Sequence, residues 1–147
     1  MDARSSDAPP AGFELTEHTA DVGIHAWGPS ESVVFEQAAL GLFSLLCDPA
    51  TVEPREAIDL EAEAPTHDLL LVAWLNELLY RFEADGLVFH SFTIDVLGAR
   101  EVSATAHGER IDPARHAVRA GVKAVTYHGL ALRETGDGWE GKVILDV

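Results

Sequence analysis

Residues 57–82, AIDLEAEAPTHDLLLVAWLNELLYRF, change their hydrophobic period from about two to about 3.6 at Pro65 and Thr66. Before this break, apolar residues alternate with acidic ones, which predicts a strand buried on one face only. After the break, apolar residues recur at helical spacing until Gly86, which predicts a long helix in the centre of the core. The predicted buried face of this helix comprises Leu71, Trp74, Leu75, Leu78, Leu79 and Phe82.

The rest of the chain is rich in strand-like alternation. A second helix is predicted from Ser30, as its N-cap, to Asp48 and Pro49. The other predicted strands cover residues 13–16, 22–27, 92–96, 102–106, 121–133 and 139–147. Because helices and strands do not alternate regularly, the predicted fold class is α+β. We expect a largely antiparallel or mixed β-sheet of about seven strands with two main helices packed on it.

Length and composition predict one globular domain. Residues 1–12 lack apolar periodicity and are expected to form a disordered tail, whereas residues 13–147 form the single domain. The start of the chain does not resemble a secretory signal, and the longest apolar run, residues 69–75, is too short to cross a bilayer. We therefore expect a cytoplasmic protein without membrane association. The sequence leaves the oligomeric state open, with a monomer as the expectation.

The net charge of −15 constrains the partners. Such a charge repels phosphate backbones, so direct binding to nucleic acid is not expected. A partner with a basic surface is favoured, because opposite potentials speed encounter and fix orientation. The alternative is that the acidity only keeps the domain in solution.

Three carboxylates at the two ends of the domain are the first candidates for a site. Asp146 precedes Val147, whose terminal carboxylate adds a second acidic group, and Asp21 lies in the polar stretch HTADVG of residues 18–23. If the fold brings these groups together, three hard oxygen donors meet, which suits Ca²⁺ or Mg²⁺. The alternatives are an Asx turn at Asp21 and a solvated edge residue at Asp146.

Other familiar chemistry is not indicated. The seven histidines show no zinc-site spacing, and Cys47, beside two leucines, is expected to be a small buried apolar residue. Common nucleophile and nucleotide-binding motifs are also missing from the sequence.

Lys123 places a cation in the β-prone run VKAVTYH of residues 122–128. Simple alternation would put Val122, Ala124 and Thr126 on one face of this strand and Lys123 on the other. Two interpretations remain open. Lys123 is either an edge lysine that extends into solvent, or a positive charge directed at the acidic cluster or at a partner's phosphate.

Four segments in order resemble the archease family: FELTEHTADVGI of residues 13–24, LLLVAWLNELLY of residues 69–80, VKAVTYH of residues 122–128 and VILDV of residues 143–147. The resemblance spans residues 13–147. It implies an accessory protein of the RtcB-type RNA-splicing ligase in tRNA processing, not an enzyme itself. Such proteins promote guanylylation of the ligase, and so its multiple turnover.

The resemblance also implies the site residues. The metal ligands of the family fall on Asp21, Asp146 and Val147, with Ca²⁺ as the expected ion and Mg²⁺ or Mn²⁺ as alternatives. Residues that activate the ligase fall on Lys123 and His18. Two other functions stay open: a metal-dependent phosphoester hydrolase with His18 or His128 as the base, and a general chaperone or modulator protein.

Overall fold

The computed structural model describes residues 10–17, 21–119 and 121–147. Within these ranges the chain forms seven strands, two long helices and a short third helix. The strands are β1 (Gly12–Glu17), β2 (Asp21–Gly28), β3 (Glu56–Glu63), β4 (Leu87–Leu97), β5 (Glu101–Arg110), β6 (Ala124–Glu134) and β7 (Trp139–Asp146). The helices are α1 (Glu31–Leu46), α2 (His67–Asp85) and α3 (Pro113–His116).

The strands form two antiparallel sheets. One sheet has four strands in the order β1-β2-β7-β6, and the other has three in the order β3-β5-β4. The α+β class, the seven strands and the two main helices are as predicted. The sequence pattern did not reveal the division into two sheets, because strand alternation carries no information on which strands pair.

The two long helices lie between the sheets. Helix α1 packs on β1, β2 and β7 of the first sheet and on β4 of the second, while α2 packs on β6 and β3. Trp74 is fully buried, and its indole N–H donates a hydrogen bond to the carbonyl of Phe35 at 3.0 Å. The whole predicted face of α2 is buried. Each sheet therefore has an inner face against the helices and an outer face toward solvent.

Local sequence signals define the helix ends. The hydroxyl of Ser30 accepts the backbone N–H of Val33 at 3.3 Å, which caps the start of α1. Helix α2 ends at Gly86, whose φ of 66° is the left-handed conformation that glycine adopts at low cost. Because both signals are local, both helices could be predicted from the sequence.

One strand departs from its predicted alternation. Phe92, Ile94 and Val96 would share an inner face in a regular strand, but the register of β4 against β5 shifts between Ile94 and Val96. An irregularity of this kind turns the following side chain to the other face of the sheet. As a result Val96 is 55% exposed, whereas Phe92 is buried.

Several expectations concern single groups or the chain as a whole. Cys47 is buried as predicted, and its burial raises the pKa of its thiol to about 11. His18 and residues 1–9 lie outside the described residues, so the disordered tail over residues 1–12 stays a prediction, although β1 begins at Gly12. In the part of the chain that the structure describes, no helix combines the length and the apolar character needed to cross a bilayer.

Candidate functional site

The central feature of the site is a direct pairing of two aspartates. Asp21 is the first residue of β2 rather than part of the Asx turn considered as the alternative, and it lies opposite Asp146 at the end of β7. Cβ atoms of directly opposed residues in antiparallel strands are about 5 Å apart, and their side chains point to the same face. The fold therefore brings the two predicted carboxylates together on the outer face of the four-stranded sheet.

Lys123, the residue before β6, lies next to Asp146. Its backbone N–H donates a hydrogen bond to the carbonyl of Asp146 at 2.7 Å, and the next residue, Ala124, pairs with Asp146 across β6 and β7. The side chain of Lys123 is exposed. The pairing of β7 with both β2 and β6 thus places Lys123 beside the two aspartates.

Asn76 of helix α2 fixes this part of β6. Its side-chain N–H donates to the carbonyl of Val125 at 3.0 Å, and its side-chain oxygen accepts the N–H of Val125 at 3.0 Å. One amide side chain thus replaces a missing strand neighbour for both backbone groups of Val125. This role was not predicted, and its only signal in the sequence is an uncharged polar residue between Leu75 and Leu78 of the apolar stripe.

Strand β6 contains a large bulge. Thr126 pairs with Ile144 and Ala131 pairs with Lys142, so residues 127–130 lie outside the regular ladder. Gly129 supports the bulge with a φ of 67°, a conformation that costs a residue with a Cβ more than glycine. The predicted alternation of this strand is wrong, because Val122 and Val125 are the buried residues rather than Val122, Ala124 and Thr126.

The aspartate pair has an unfavourable charge arrangement on its own. Like charges directly opposite each other on a sheet face are destabilising. Asp21 is half-buried and Asp146 is exposed, so both remain accessible from solvent. A bound divalent cation would remove the repulsion and use the carboxylate oxygens, the ligands that Ca²⁺ and Mg²⁺ prefer. The donor chemistry of the pair therefore fits a hard divalent ion.

Further donors must complete such a site. Within residues 10–17, 21–119 and 121–147, no group of three or more His, Cys, Asp or Glu side chains is arranged to hold a metal ion. Asp21 and Asp146 supply two carboxylates, and Val147, which is 42% exposed, follows directly with main-chain oxygens. His18 lies outside the described residues. The described His, Cys, Asp and Glu side chains therefore supply no third ligand, and the oxygens of Val147 are the nearest further donors along the chain.

A second carboxylate cluster, around Glu109 at the end of β5, is built differently. Glu109 is only 4% exposed and accepts hydrogen bonds from both terminal nitrogens of Arg115, at 2.8 Å each. It also accepts hydrogen bonds from Nε of Arg55 at 3.0 Å, from the backbone N–H of Glu53 at 2.8 Å and from Nε2 of His116 at 2.9 Å. These donors, Arg115 first, hold the pKa of the Glu109 carboxyl far below its usual range. The cluster fastens α3 and the segment before β3 to β5, which is a structural role.

The fold and the aspartate pair define a class: a two-sheet α+β protein whose first and last long strands bring two carboxylates to one end of a sheet. Residues 13–147 match the model of the Archease protein family (MTH1598/TM1083). The chain therefore belongs to the archease family.

Named relatives and a solved structure agree with this assignment. Protein archease of Methanosarcina acetivorans is 39% identical over 139 residues, which cover 92% of this chain and 95% of that protein. Protein archease of Pyrococcus furiosus is 35% identical, with coverage of 92% and 98%. The solution structure of Methanobacterium thermoautotrophicum protein 1598 superimposes with a TM-score of 0.77 at 33% identity, covering 92% of this chain and 99% of that one.

Proposed function

We propose that this protein is an accessory factor of an RtcB-type RNA ligase, not an enzyme in its own right, and that it promotes guanylylation of the ligase during tRNA processing and RNA ligation. The observation that carries the proposal is the opposition of Asp21 and Asp146 across β2 and β7. It is supported by membership of the archease family over residues 13–147.

In this proposal, Asp21, Asp146 and an oxygen of Val147 hold a divalent cation, Ca²⁺ first and Mg²⁺ or Mn²⁺ as alternatives. When bound, such an ion stabilises negative charge on phosphoryl oxygens. The sheet contributes rigidity, because both aspartates are fixed by strand pairing and not by a loop. The position of the pair at the end of the strands leaves it accessible to a partner.

Lys123 and His18 are the proposed activating residues. The main-chain bond from Lys123 to Asp146, together with the Asn76 side chain on Val125, holds the backbone of Lys123 beside Asp146 and leaves its side chain exposed. Lys123 would then meet phosphate oxygens of the ligase-bound nucleotide as a point charge. His18 precedes Asp21 by three residues in the chain and is proposed to act together with Lys123.

The charge of the protein supports a protein partner over an RNA partner. A net charge of −15 favours encounter with a basic surface, and a ligase that binds RNA must carry one. The same charge opposes direct contact with the RNA backbone. The proposed contact is therefore with the ligase itself.

The test is a reconstituted guanylylation assay with a purified RtcB-type ligase, labelled GTP and a divalent ion. Wild type is expected to raise the rate of GMP transfer to the ligase, while Asp21→Asn and Asp146→Asn leave the rate of the ligase alone. Asp59→Asn, an exposed change on the outer face of the other sheet, is the matched control and should act as wild type. Full stimulation by both site variants would refute the proposal.

A further inference from the structure

The outer face of the four-stranded sheet is organised in rows that cross its strands. The end row contains Asp21 and Asp146, and the next row contains Thr16, Gly23, Ile144 and Thr126. The row after that contains Glu14, His25, Lys142 and Ala131. Alternate residues of a strand are about 7 Å apart, so the aspartate pair and Lys142 are separated by about 13 Å along β7. No helix packs on this face within the described part of the chain.

A depression of about 460 Å³ lies on this face beside the aspartate row. Gly23, in the middle row, contributes no side chain, and the bulge at Gly129 widens the opposite side. Most of its lining surface is apolar. The lining includes Glu14, Thr16, His25, Gly129, Lys142 and Ile144. A volume of this size accommodates a large side chain or a small ligand.

Some of the charged side chains around the depression have ion-pair partners, and Lys142 has none among the described residues. His25 contacts Glu14 at 2.9 Å and Glu140 at 2.8 Å, and Glu140 is also paired with Arg133. These contacts, His25 first, hold the pKa of the Glu140 carboxyl below its usual range. Lys142 lies between these groups with an exposed side chain and forms no ion pair with any described residue. Glu14, His25, Glu140 and Arg133 thus contact one another, whereas Lys142 has no ion-pair partner among the described residues.

We infer that this depression is a docking point for the ligase, where an apolar side chain of the partner fills the space over Ile144 and a neighbouring carboxylate of the partner pairs with Lys142. The inference rests on the proposed function, since it names the surface through which the ligase would approach the aspartate pair. A protein segment fits better than a phosphorylated small molecule, because the lining is mainly apolar and the net charge of −15 repels free phosphates.

The neighbouring bulge supports a protein partner as well. Tyr127, on the same bulge as Gly129, is 65% exposed. Exposed tyrosines are enriched in protein interfaces, where they supply rigid contact area. The depression, Lys142 and Tyr127 all belong to the sheet that carries the aspartates.

The inference is tested by binding, separately from catalysis. Lys142→Glu reverses the free charge, and Thr16→Tyr fills the depression with a side chain that suits a half-exposed strand position. Arg100→Glu makes the same change of charge at the exposed β4–β5 turn, and Thr93→Tyr makes the same change of size on the outer face of the other sheet. Binding of each variant to immobilised RtcB-type ligase is measured by interferometry, and thermal unfolding checks that each variant is folded.

We expect Lys142→Glu and Thr16→Tyr each to weaken the Kd for the ligase about tenfold, a loss usual for central interface residues, while the two controls bind as wild type. Wild-type affinity in either test variant would overturn the inference, because the proposed segment uses both groups. If wild type stimulates the ligase in that case, the proposed function stands and only the docking point is wrong. If wild type neither binds nor stimulates the ligase, both fail together.

Discussion

The two carboxylate clusters of this protein differ in what surrounds them. Glu109 is a single buried carboxylate with two arginines, a histidine and a backbone N–H as donors. Asp21 and Asp146 are two accessible carboxylates placed opposite each other by strand register. Buried charges contribute to a fold only when they are paired and hydrogen-bonded, whereas opposed like charges weaken it. The first cluster therefore serves folding, and we infer that the second is kept for a ligand.

The largest effect on stability is expected at Glu109. Glu109→Ala leaves Arg115, Arg55 and His116 without their shared acceptor, and groups stripped of a buried partner are strongly destabilising. Thermal unfolding should show a large drop in Tm relative to wild type. An unchanged Tm would contradict the structural role of the cluster. The exposed change Glu61→Ala, on β3, is the control and should leave the Tm close to wild type.

The pH dependence of stability gives a second view of Glu109. Its folded pKa lies below the ordinary value of 4.5, so its contribution is fully present above that value and is lost as the pH falls toward the folded pKa. The free energy of unfolding should decrease in acid more steeply for wild type than for Glu109→Gln. Parallel acid profiles of the two proteins would show that Glu109 is not the group responsible.

Asn76→Ala should have an intermediate effect. The change removes both hydrogen bonds to Val125 and leaves its N–H and carbonyl without partners, which costs about 1–3 kcal/mol for each buried unsatisfied group. Because Val125 lies two residues after Lys123, ligase stimulation should fall as well. Chemical denaturation and the guanylylation assay measure the two effects. A destabilised variant with full stimulation would show that the position of Lys123 does not matter.

A smaller effect is expected at His67, the first residue of α2. Its Nδ1 contacts Glu31 at 2.8 Å and its Nε2 contacts the carbonyl of Gly98 at 2.7 Å, so a protonated ring satisfies both acceptors. The hydrogen bond with Glu31 is the main cause of its raised pKa. This stabilisation is present below pH 6.5, the ordinary value, and is lost as the pH rises through the folded pKa. The Tm of wild type should therefore fall more between mildly acidic and alkaline pH than the Tm of His67→Gln. Differential scanning fluorimetry across this pH range measures the two differences.

The sequence predicted those parts of the fold that depend on local signals. The α2 stripe and the helix ends at Ser30 and Gly86 follow from residues a few positions apart, and all are present. The division into two sheets and the bulges of β4 and β6 depend on partner strands distant in sequence, and they were not predicted.

The site was predicted only in part for the same reason. Carboxylate chemistry and the family resemblance singled out Asp21 and Asp146, but their opposition required the register of β2 against β7. Asn76 was missed because its partner, Val125, lies 49 positions along the chain. Glu109 has both kinds of partner, since Arg55 is 54 positions away whereas Arg115 and His116 are only six and seven positions away. Long-range partners of polar side chains leave little trace in a single sequence.

The most direct test of the account is thermal unfolding of wild type, Asp21→Asn and Asp146→Asn with and without Ca²⁺. Removing one charge of the opposed pair should leave the Tm without Ca²⁺ equal to or slightly above that of wild type. Saturating Ca²⁺ should raise the Tm of wild type, as a ligand at about 100 times its Kd stabilises by about 2.7 kcal/mol, and should not raise that of either variant. Equal Ca²⁺ stabilisation of all three proteins, or none in wild type with Ca²⁺, Mg²⁺ or Mn²⁺, would contradict a cation site at this pair.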